Sequence, residues 1–385
     1  MAGENHPIRR AILLLAAGAI LVVILARSFH ARRGLPSESM ALATNPATIT
    51  SPGGPSTNAD ALRPSIDGTW RVLQSRPARA RVQVALVDLR LTLRALPSNE
   101  ASRRIRDFLA STNDTATGME FKVGAGGALA SAPTLRTFLL DELERIDPPA
   151  AAEVAKQLLA SMNSSDEWAL ALRSLARQQT DPEGRNFTAD KWQAMMRNET
   201  WMRNPSVGFL ESFDIAVHLR DPELIPTLTD LVRLKDNQAV AHAAYLALDR
   251  LTVTDAAMTL AALAADPESM KGREVTRANY FARADVRDET QRRLVENYLL
   301  RPGLDAEELS KFTGLYPNAN FMVSPNLVTK SETPDHAWLL ARDQAALQQV
   351  EVWLQDSRFA RLQPQLGEIA RRLRQFNQVR ASAVR

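Results

Sequence analysis

Along most of the chain, apolar residues recur at the spacing of an α-helix. From Val82 to Leu96 the apolar positions are separated by four, three, four and three residues, although parts of the run also alternate locally like a strand. The length of the run favours a helix. The break Pro97-Ser98-Asn99 ends it, and a second apolar face follows at Ile105, Phe108 and Leu109. The pattern therefore predicts a helical hairpin.

The next stretch of the chain resembles itself at an offset of 73 residues. Pro149 aligns with Pro222, and Leu175 aligns with Leu248. Each copy predicts a helix opened by proline, a polar turn and a second helix rich in alanine and leucine. Half of the offset is close to the length of a two-helix solenoid repeat. Thr188 to Leu219 provides one further unit between the copies, with two predicted helices.

The segment from Asp221 to Leu251 resembles a HEAT-type repeat, whose first helix has a similar spacing of leucine and proline and whose second helix carries spaced alanine and leucine. The resemblance implies stacked antiparallel helix pairs. Proteins of this kind commonly serve as scaffolds or peptide-binding surfaces and not as enzymes. We therefore expect an all-α fold, an irregular α-solenoid of antiparallel helix pairs.

The last third of the chain departs from this repeat. A helical pattern runs from Glu274 to Leu300, and Leu315 to Val328, with two prolines and three asparagines, predicts an extended loop. Thr333-Pro334-Asp335 has the residues of a helix start, and helices follow to the end with a break at Gln363-Pro364. Earlier in the chain, residues 111–133 interrupt the helices with a glycine-rich loop.

One short apolar segment stands at the N-terminus. Ala11 to Ala26 contains no charged side chain, and as a helix it would span roughly 24 Å. Arginines on both sides can reach the bilayer surface, so we interpret residues 11–27 as a transmembrane signal-anchor after a short tail, residues 1–10. A cleaved signal peptide is the main alternative, but cleavage after Ala26 or Ala31 would leave a large residue at the −3 position.

The chain between anchor and body changes in composition. Residues 28–65 are rich in proline, serine, threonine and glycine and contain few large apolar residues. Such a segment buries too little surface to offset the entropy of ordering, and predicts a disordered tether. Residues 66–385 then form the helical body. A short tail before the anchor and a large body after it favour a single-pass protein with the body on the extracytoplasmic side.

Composition excludes several classes of site. The 385 residues contain no cysteine, which rules out disulfides, thiolate catalysis and zinc fingers. The formal net charge is only +3, from 47 basic and 44 acidic side chains, so we expect no nucleic-acid partner. Dispersed aspartate and glutamate residues are interpreted as a solvated surface.

Candidate catalytic groups are few. His218 and His242 lie in neighbouring predicted units, but no HExxH motif or i, i+4 pair accompanies them. The glycine-rich run from Lys122 to Gly127 lacks the ending of a phosphate-binding loop, and we interpret it as a flexible turn. The sequence therefore predicts no cofactor, no metal site and no enzymatic activity.

Tryptophan is the residue type that most favours a partner site. Tryptophan and arginine dominate the energetics of many protein interfaces, so Trp168, Trp192 and Trp201 are candidate partner-binding residues on a helical surface. A core role is the other interpretation of each. Together these patterns predict a membrane-anchored, non-catalytic scaffold or adaptor for a protein partner. An envelope enzyme of hydrolase type, with a site near the glycine-rich loop, and a purely structural spacer remain the alternatives.

Overall fold

The computed structural model describes residues 65–331 and 333–383, and this part of the chain is predominantly helical. The expectation of an all-α body is therefore confirmed. Among the described residues, no helix has the length and apolar character needed to cross a bilayer. The predicted anchor from Ala11 to Ala26 lies outside the described residues.

The helices follow one another with short connections. In the first part they are α1 (Ile66–Gln74), α2 (Arg79–Ala95), α3 (Ser98–Ala110), α4 (Leu135–Ile146), α5 (Pro148–Leu158), α6 (Ser165–Gln178), α7 (Pro182–Met196), α8 (Glu199–Arg203), α9 (Val207–Glu211) and α10 (Phe213–Leu219). The second part contains α11 (Ile225–Val232), α12 (Gln238–Thr254), α13 (Ala256–Ala265), α14 (Glu274–Phe281), α15 (Glu289–Leu300), α16 (Ala306–Leu315), α17 (His336–Gln355) and α18 (Gln363–Ala383).

A small antiparallel hairpin interrupts the helices after α3. Its strands, β1 (Lys122–Val123) and β2 (Leu129–Ser131), form a two-stranded sheet around the glycine-rich turn. The predicted interruption at residues 111–133 is confirmed, and the turn within it is an ordered one. Short 3₁₀ segments also occur, and they span Ala125–Gly127, Pro222–Leu224, Pro267–Met270 and Ser357–Leu362.

Helix starts along the body share a simple chemistry. The dipeptide Asp-Pro opens four helical segments, at residues 147, 181, 221 and 266. In each case the aspartate side chain accepts a hydrogen bond from a backbone N–H of the first turn, and the proline occupies a position whose own N–H would have no partner. These residues fix where one unit ends and the next begins.

The helix pairs predicted from the 73-residue offset are present. Helices α5 and α6 pack along each other, as do α11 and α12, and each pair is joined by a short polar turn. Leu175 and Leu248, aligned by the offset, are both fully buried. Helix α6 also contacts α4, α7, α9 and α10, so it lies at the centre of the first half of the body.

Two predicted helices are divided in the structure. The second of the two helices predicted between Thr188 and Leu219 is split at Ser212, whose carbonyl oxygen accepts a hydrogen bond from the Trp192 indole at 3.0 Å. The pattern from Glu274 to Leu300 likewise forms two helices, α14 and α15. At Ser212 the apolar spacing continues across the break, from Phe209 to Phe213 and Val217, so periodicity alone could not locate it.

Candidate functional site

An extended segment, residues 316–331, crosses the surface of the helices. It contains no helix or strand, which confirms the loop predicted for Leu315 to Val328. We call residues 316–331 the crossing segment. It is held at two ends, while Met322 and Val323 between them are 56% and 64% exposed. The helical surface on which it lies is the candidate functional site.

The second half of the crossing segment is bound mainly through its backbone. The Asp214 carboxylate, which is buried, accepts hydrogen bonds from the backbone N–H of Val328 at 2.5 Å and of Thr329 at 2.8 Å. Arg177 donates to the carbonyl oxygen of Leu327 at 2.9 Å. Arg250 pairs with Asp214 at 2.8 Å and also donates to the Thr329 hydroxyl. Because most of these bonds go to backbone atoms, they recognise an extended chain with little regard to its side chains.

The first half of the crossing segment is held in a similar way. Arg283, just after α14, donates to the carbonyl oxygen of Asn320 at 2.7 Å, and Arg342 on α17 donates to that of Asn318 at 2.9 Å. The Asn318 side chain donates to Asn279 at 2.9 Å. Asp249 holds Arg283 in place through two bonds of 2.6 Å. Both ends of the segment are thus fixed by charged or amide side chains of the helices.

The groups that bind the crossing segment recur along the sequence. Arg177, Asp214, Arg250 and Arg283 are separated by 37, 36 and 33 residues, close to half of the 73-residue offset. Arg177 and Arg250 are themselves aligned by that offset. Sequence reasoning did not relate these four residues to one another, although the offset could have shown the arginine pair. We call these four side chains the polar ladder.

Buried carboxylates on α4 support one end of the polar ladder. Arg173, only 1% exposed, bonds to Glu144 at 2.7 Å and to Asp141 at 2.9 Å. Arg177 bonds to the other oxygen of Glu144 at 2.7 Å. The expectation that acidic residues form a solvated surface is therefore wrong for α4, where Asp141, Glu142 and Glu144 are buried. Each of them has an arginine partner from a different helix or turn, which offsets the cost of burial.

The glycine-rich turn faces these arginines with its carbonyl groups. Gly127 accepts a hydrogen bond from Arg173 at 2.7 Å, and Gly126 accepts one from Arg177 at 2.8 Å. A phosphate loop presents N–H groups to its anion, whereas this turn presents oxygen atoms to cations. The turn thus serves as a contact between β1–β2 and the crossing segment, because Gly127 also packs directly against Leu327.

Replacing Gly127 by alanine is expected to weaken this contact. The added Cβ would lie 2.1 Å from the carbonyl oxygen of Leu327, and the backbone φ of +78° adds strain. We expect a loss of about 1–3 kcal/mol in the free energy of unfolding, measured by urea denaturation. Gly126→Ala is the matched control, since its φ is +67° but no atom lies within 4 Å of the new Cβ. Equal losses in both variants would contradict a packing role for Gly127.

Two cavities lie between the crossing segment and the helices, and they share Arg250 and Met322. The first has a volume of about 470 Å³ and also contacts His218, Asp249 and Lys330. The second has a volume of about 360 Å³ and a mainly apolar wall. Burial and the neighbouring Asp214 carboxylate raise the pKa of Glu211, which lies in that wall.

The structure separates the three candidate tryptophans into two kinds. Trp168 and Trp192 are 2% and 0% exposed, and their indole N–H groups donate to the backbone of Ser161 and Ser212. Both rings therefore belong to the core and offer no surface to a partner in this structure. Trp201 is partly buried and packs edge-on against Trp168 at 5.4 Å. A partner contact through Trp201 stays a prediction.

The two histidines do not form a common site. The Nε2 atom of His218 lies 3.0 Å from the carbonyl oxygen of Ala176, which makes it the protonated nitrogen. His242 is exposed and stacks on Tyr245 at 6.0 Å. Within residues 65–331 and 333–383, no group of three or more histidine, aspartate or glutamate side chains is arranged to hold a metal ion.

Comparison with protein-family models, with curated proteins and with solved structures gave no match to this chain.

Proposed function

We propose that this protein is a membrane-anchored, non-catalytic scaffold that binds an extended segment of a protein partner beside its own crossing segment. The observation that carries the proposal is the polar ladder. Its side chains already bind an extended chain through backbone carbonyl and N–H groups. Side chains spaced about one unit apart on stacked helix pairs suit a chain that runs along the stack. On this proposal the body is an irregular, HEAT-like α-solenoid.

The partner segment would lie across the two cavities. Met322 separates them and, with Val323, presents the largest exposed apolar side chains of the crossing segment. In an extended peptide, successive side chains point to opposite sides. Side chains on one side could enter the two cavities, while the peptide also contacts the exposed apolar side chains of the crossing segment. The anchor at Ala11 to Ala26 and the tether would raise the local concentration of the scaffold near membrane partners, with the body on the extracytoplasmic side.

The alternative of a hydrolase-like enzyme has less support. Its site was expected near the glycine-rich turn, where Arg173 and Arg177 occupy the carbonyl groups and Leu327 fills the space beside Gly127. A purely structural spacer would need no polar ladder and no cavities beside the crossing segment.

Site-specific crosslinking tests the proposed surface. The chain has no cysteine, so purified Val323→Cys can carry a photo-crosslinker at this position alone before it is returned to membranes. We expect a discrete crosslinked protein whose purified form binds saturably and loses at least about tenfold in affinity when Met322 and Val323 are replaced by aspartate. Val352→Cys on α17, 59% exposed, is the control. The same products from both positions would refute a partner site at the crossing segment.

Attachment to the membrane is tested separately. We expect the full chain to remain in membranes after carbonate extraction, because roughly sixteen apolar residues would have to be transferred to water. A chain starting at Ser65 should be found in the soluble fraction. Recovery of mature protein whose N-terminus lies beyond Ala26 would contradict the anchor.

A variant without His218 and His242 distinguishes the scaffold hypothesis from the enzyme hypothesis. We expect the His218→Ala, His242→Ala double variant to complement a deletion strain nearly as well as the parent, because neither imidazole has a catalytic partner among the described residues. Normal helicity by circular dichroism is the control for folding. Each histidine also lines one of the two cavities, so the crosslink at Val323 has to be measured in the same variant. A folded double variant that keeps this crosslink but has no activity in cells would make the enzyme the better hypothesis.

A further inference from the structure

The first cavity has the size of a ligand site. Its volume of about 470 Å³ falls within the range of small-molecule pockets, roughly 300–1,000 Å³. One wall comes from α10, the turn after it and α12, and the other comes from the crossing segment. A group bound there would contact both the helices and the segment that crosses them.

Positive charge predominates around this cavity. Arg220, Arg250, Arg283 and Lys330 line it, and Asp249 is the one carboxylate among the lining residues. Asp249 is already used, since both of its oxygens bond to Arg283. Arg250 is paired with Asp214 outside the cavity wall. The cavity therefore keeps an excess of positive charge after its internal pairs are formed.

Arg220 and Lys330 supply that excess. Both are exposed, and the side chain of neither forms an ion pair or hydrogen bond within the described part of the chain. They approach from opposite walls, Arg220 from the turn after α10 and Lys330 from the crossing segment. Two unpaired cations on opposite walls match a carboxylate or phosphate, which accepts charge-assisted hydrogen bonds from both sides.

The rest of the cavity wall is partly apolar and can contact the apolar part of a ligand. Val217, Val253, Phe321 and Met322 give it an apolar part, and the Thr329 and Ser331 hydroxyls lie near the cationic part. We infer that this cavity binds an oxyanion, a carboxylate or phosphate, carried on an apolar group. This inference rests on the proposed function, in which the oxyanion is an acidic or phosphorylated side chain of the partner segment.

The His218 imidazole, also in the wall, reports on the occupancy of the cavity. Burial lowers its pKa, and the positive charges of Arg185 and Arg220 lower it further, while Asp214 and the bond to Ala176 act in the opposite direction. Asp249, Arg250, Arg283 and Lys330 are the other charged groups that line the same cavity. A bound oxyanion would offset these positive charges, so the pKa of His218 should rise on binding.

The test titrates the full chain in zwitterionic micelles with phenyl phosphate. We expect saturable binding by calorimetry, an upward shift of the His218 pKa by NMR, and no binding of benzyl alcohol. The double variant Arg220→Gln, Lys330→Gln should bind about tenfold or more weakly, because two charge-assisted hydrogen bonds are lost. Arg233→Gln is the control and should bind like the parent, because this partly exposed arginine does not line the cavity. Absence of saturable binding, or equal binding by parent and double variant, would overturn the inference.

Two further arms distinguish the source of the oxyanion. Inorganic phosphate tests the anion alone, and short alanine peptides with one glutamate or one phosphoserine test a side chain. Competition of a peptide with phenyl phosphate would assign the cavity to a partner side chain. If the parent protein does not bind phenyl phosphate but is crosslinked to a partner at Val323, the inference about the cavity is wrong and the proposed function stands. If the parent protein binds phenyl phosphate but gives no crosslinked partner, the proposed function is wrong and the anion-binding cavity stands.

Discussion

Replacement of Arg173 by methionine is expected to lower the free energy of unfolding by about 3–5 kcal/mol. The arginine is almost fully buried and is bonded to Asp141, Glu144 and the carbonyl oxygen of Gly127. Methionine preserves much of the apolar stem but leaves two buried carboxylates with a deficit of positive charge. Urea unfolding of a chain starting at Ser65, followed by circular dichroism, measures the loss.

The exposed pair formed by Asp230 and Arg233 provides the control for this variant. Its side chains are 69% and 39% exposed, so Arg233→Met should change the free energy of unfolding by at most about 1 kcal/mol. Similar losses in Arg173→Met and Arg233→Met would mean that the buried network around α4 contributes little to stability.

Replacement of Asp214 by alanine is expected to have a comparable effect, about 3–5 kcal/mol, and in addition to release the crossing segment. The variant leaves Arg250 without its partner and deprives two backbone N–H groups, those of Val328 and Thr329, of their acceptor. Limited proteolysis should then cut near Met322 and Val323 faster than in the parent, because the population of open segments increases.

A double-mutant cycle shows whether the effect acts through the crossing segment. Thr329→Val removes the hydroxyl that bonds to Asp214, so the losses of Asp214→Ala and Thr329→Val should not be additive. Asp230→Ala serves as the exposed control and should leave the cleavage rate unchanged. Additive losses, with a parental cleavage rate, would show that Asp214 does not hold the segment.

The local architecture was predictable because it depends on neighbours in the sequence. The spacing of apolar residues from Val82 to Leu96 predicted α2, and the offset of 73 residues predicted the pairs α5–α6 and α11–α12. Cap positions were less certain. Thr333 and Pro334 were expected to open the last group of helices, but Asp335 is the cap and accepts from the N–H of Trp338 at 2.7 Å.

The candidate site was not predictable because its contacts join distant parts of the chain. Asp214 and Val328 are 114 residues apart, and Arg177 and Leu327 are 150 residues apart. The sequence indicated an extended loop but contained no sign of where it would lie. Burial of charge was missed for a related reason, since Asp141 and Glu144 enter the core only because Arg173 arrives from another helix. For the tryptophans the sequence left a core role and a partner contact open, and Trp168 and Trp192 are buried with their indole N–H groups bonded to backbone carbonyl oxygens.

Asp214 and the residues whose N–H groups it binds, Val328 and Thr329, are far apart in the sequence, and this separation affects the order of events during synthesis. A ribosome adds roughly 5–20 residues per second, so the 115 residues between Asp214 and Thr329 take roughly 6 to 23 seconds to emerge. During that interval the helices that carry Asp214 and Arg250 can pair with each other but lack the segment that completes their hydrogen bonds. A nascent chain that ends before residue 327 therefore leaves the Asp214 carboxylate without the two N–H donors, and Arg177 without the carbonyl oxygen, that they bond to in the complete fold.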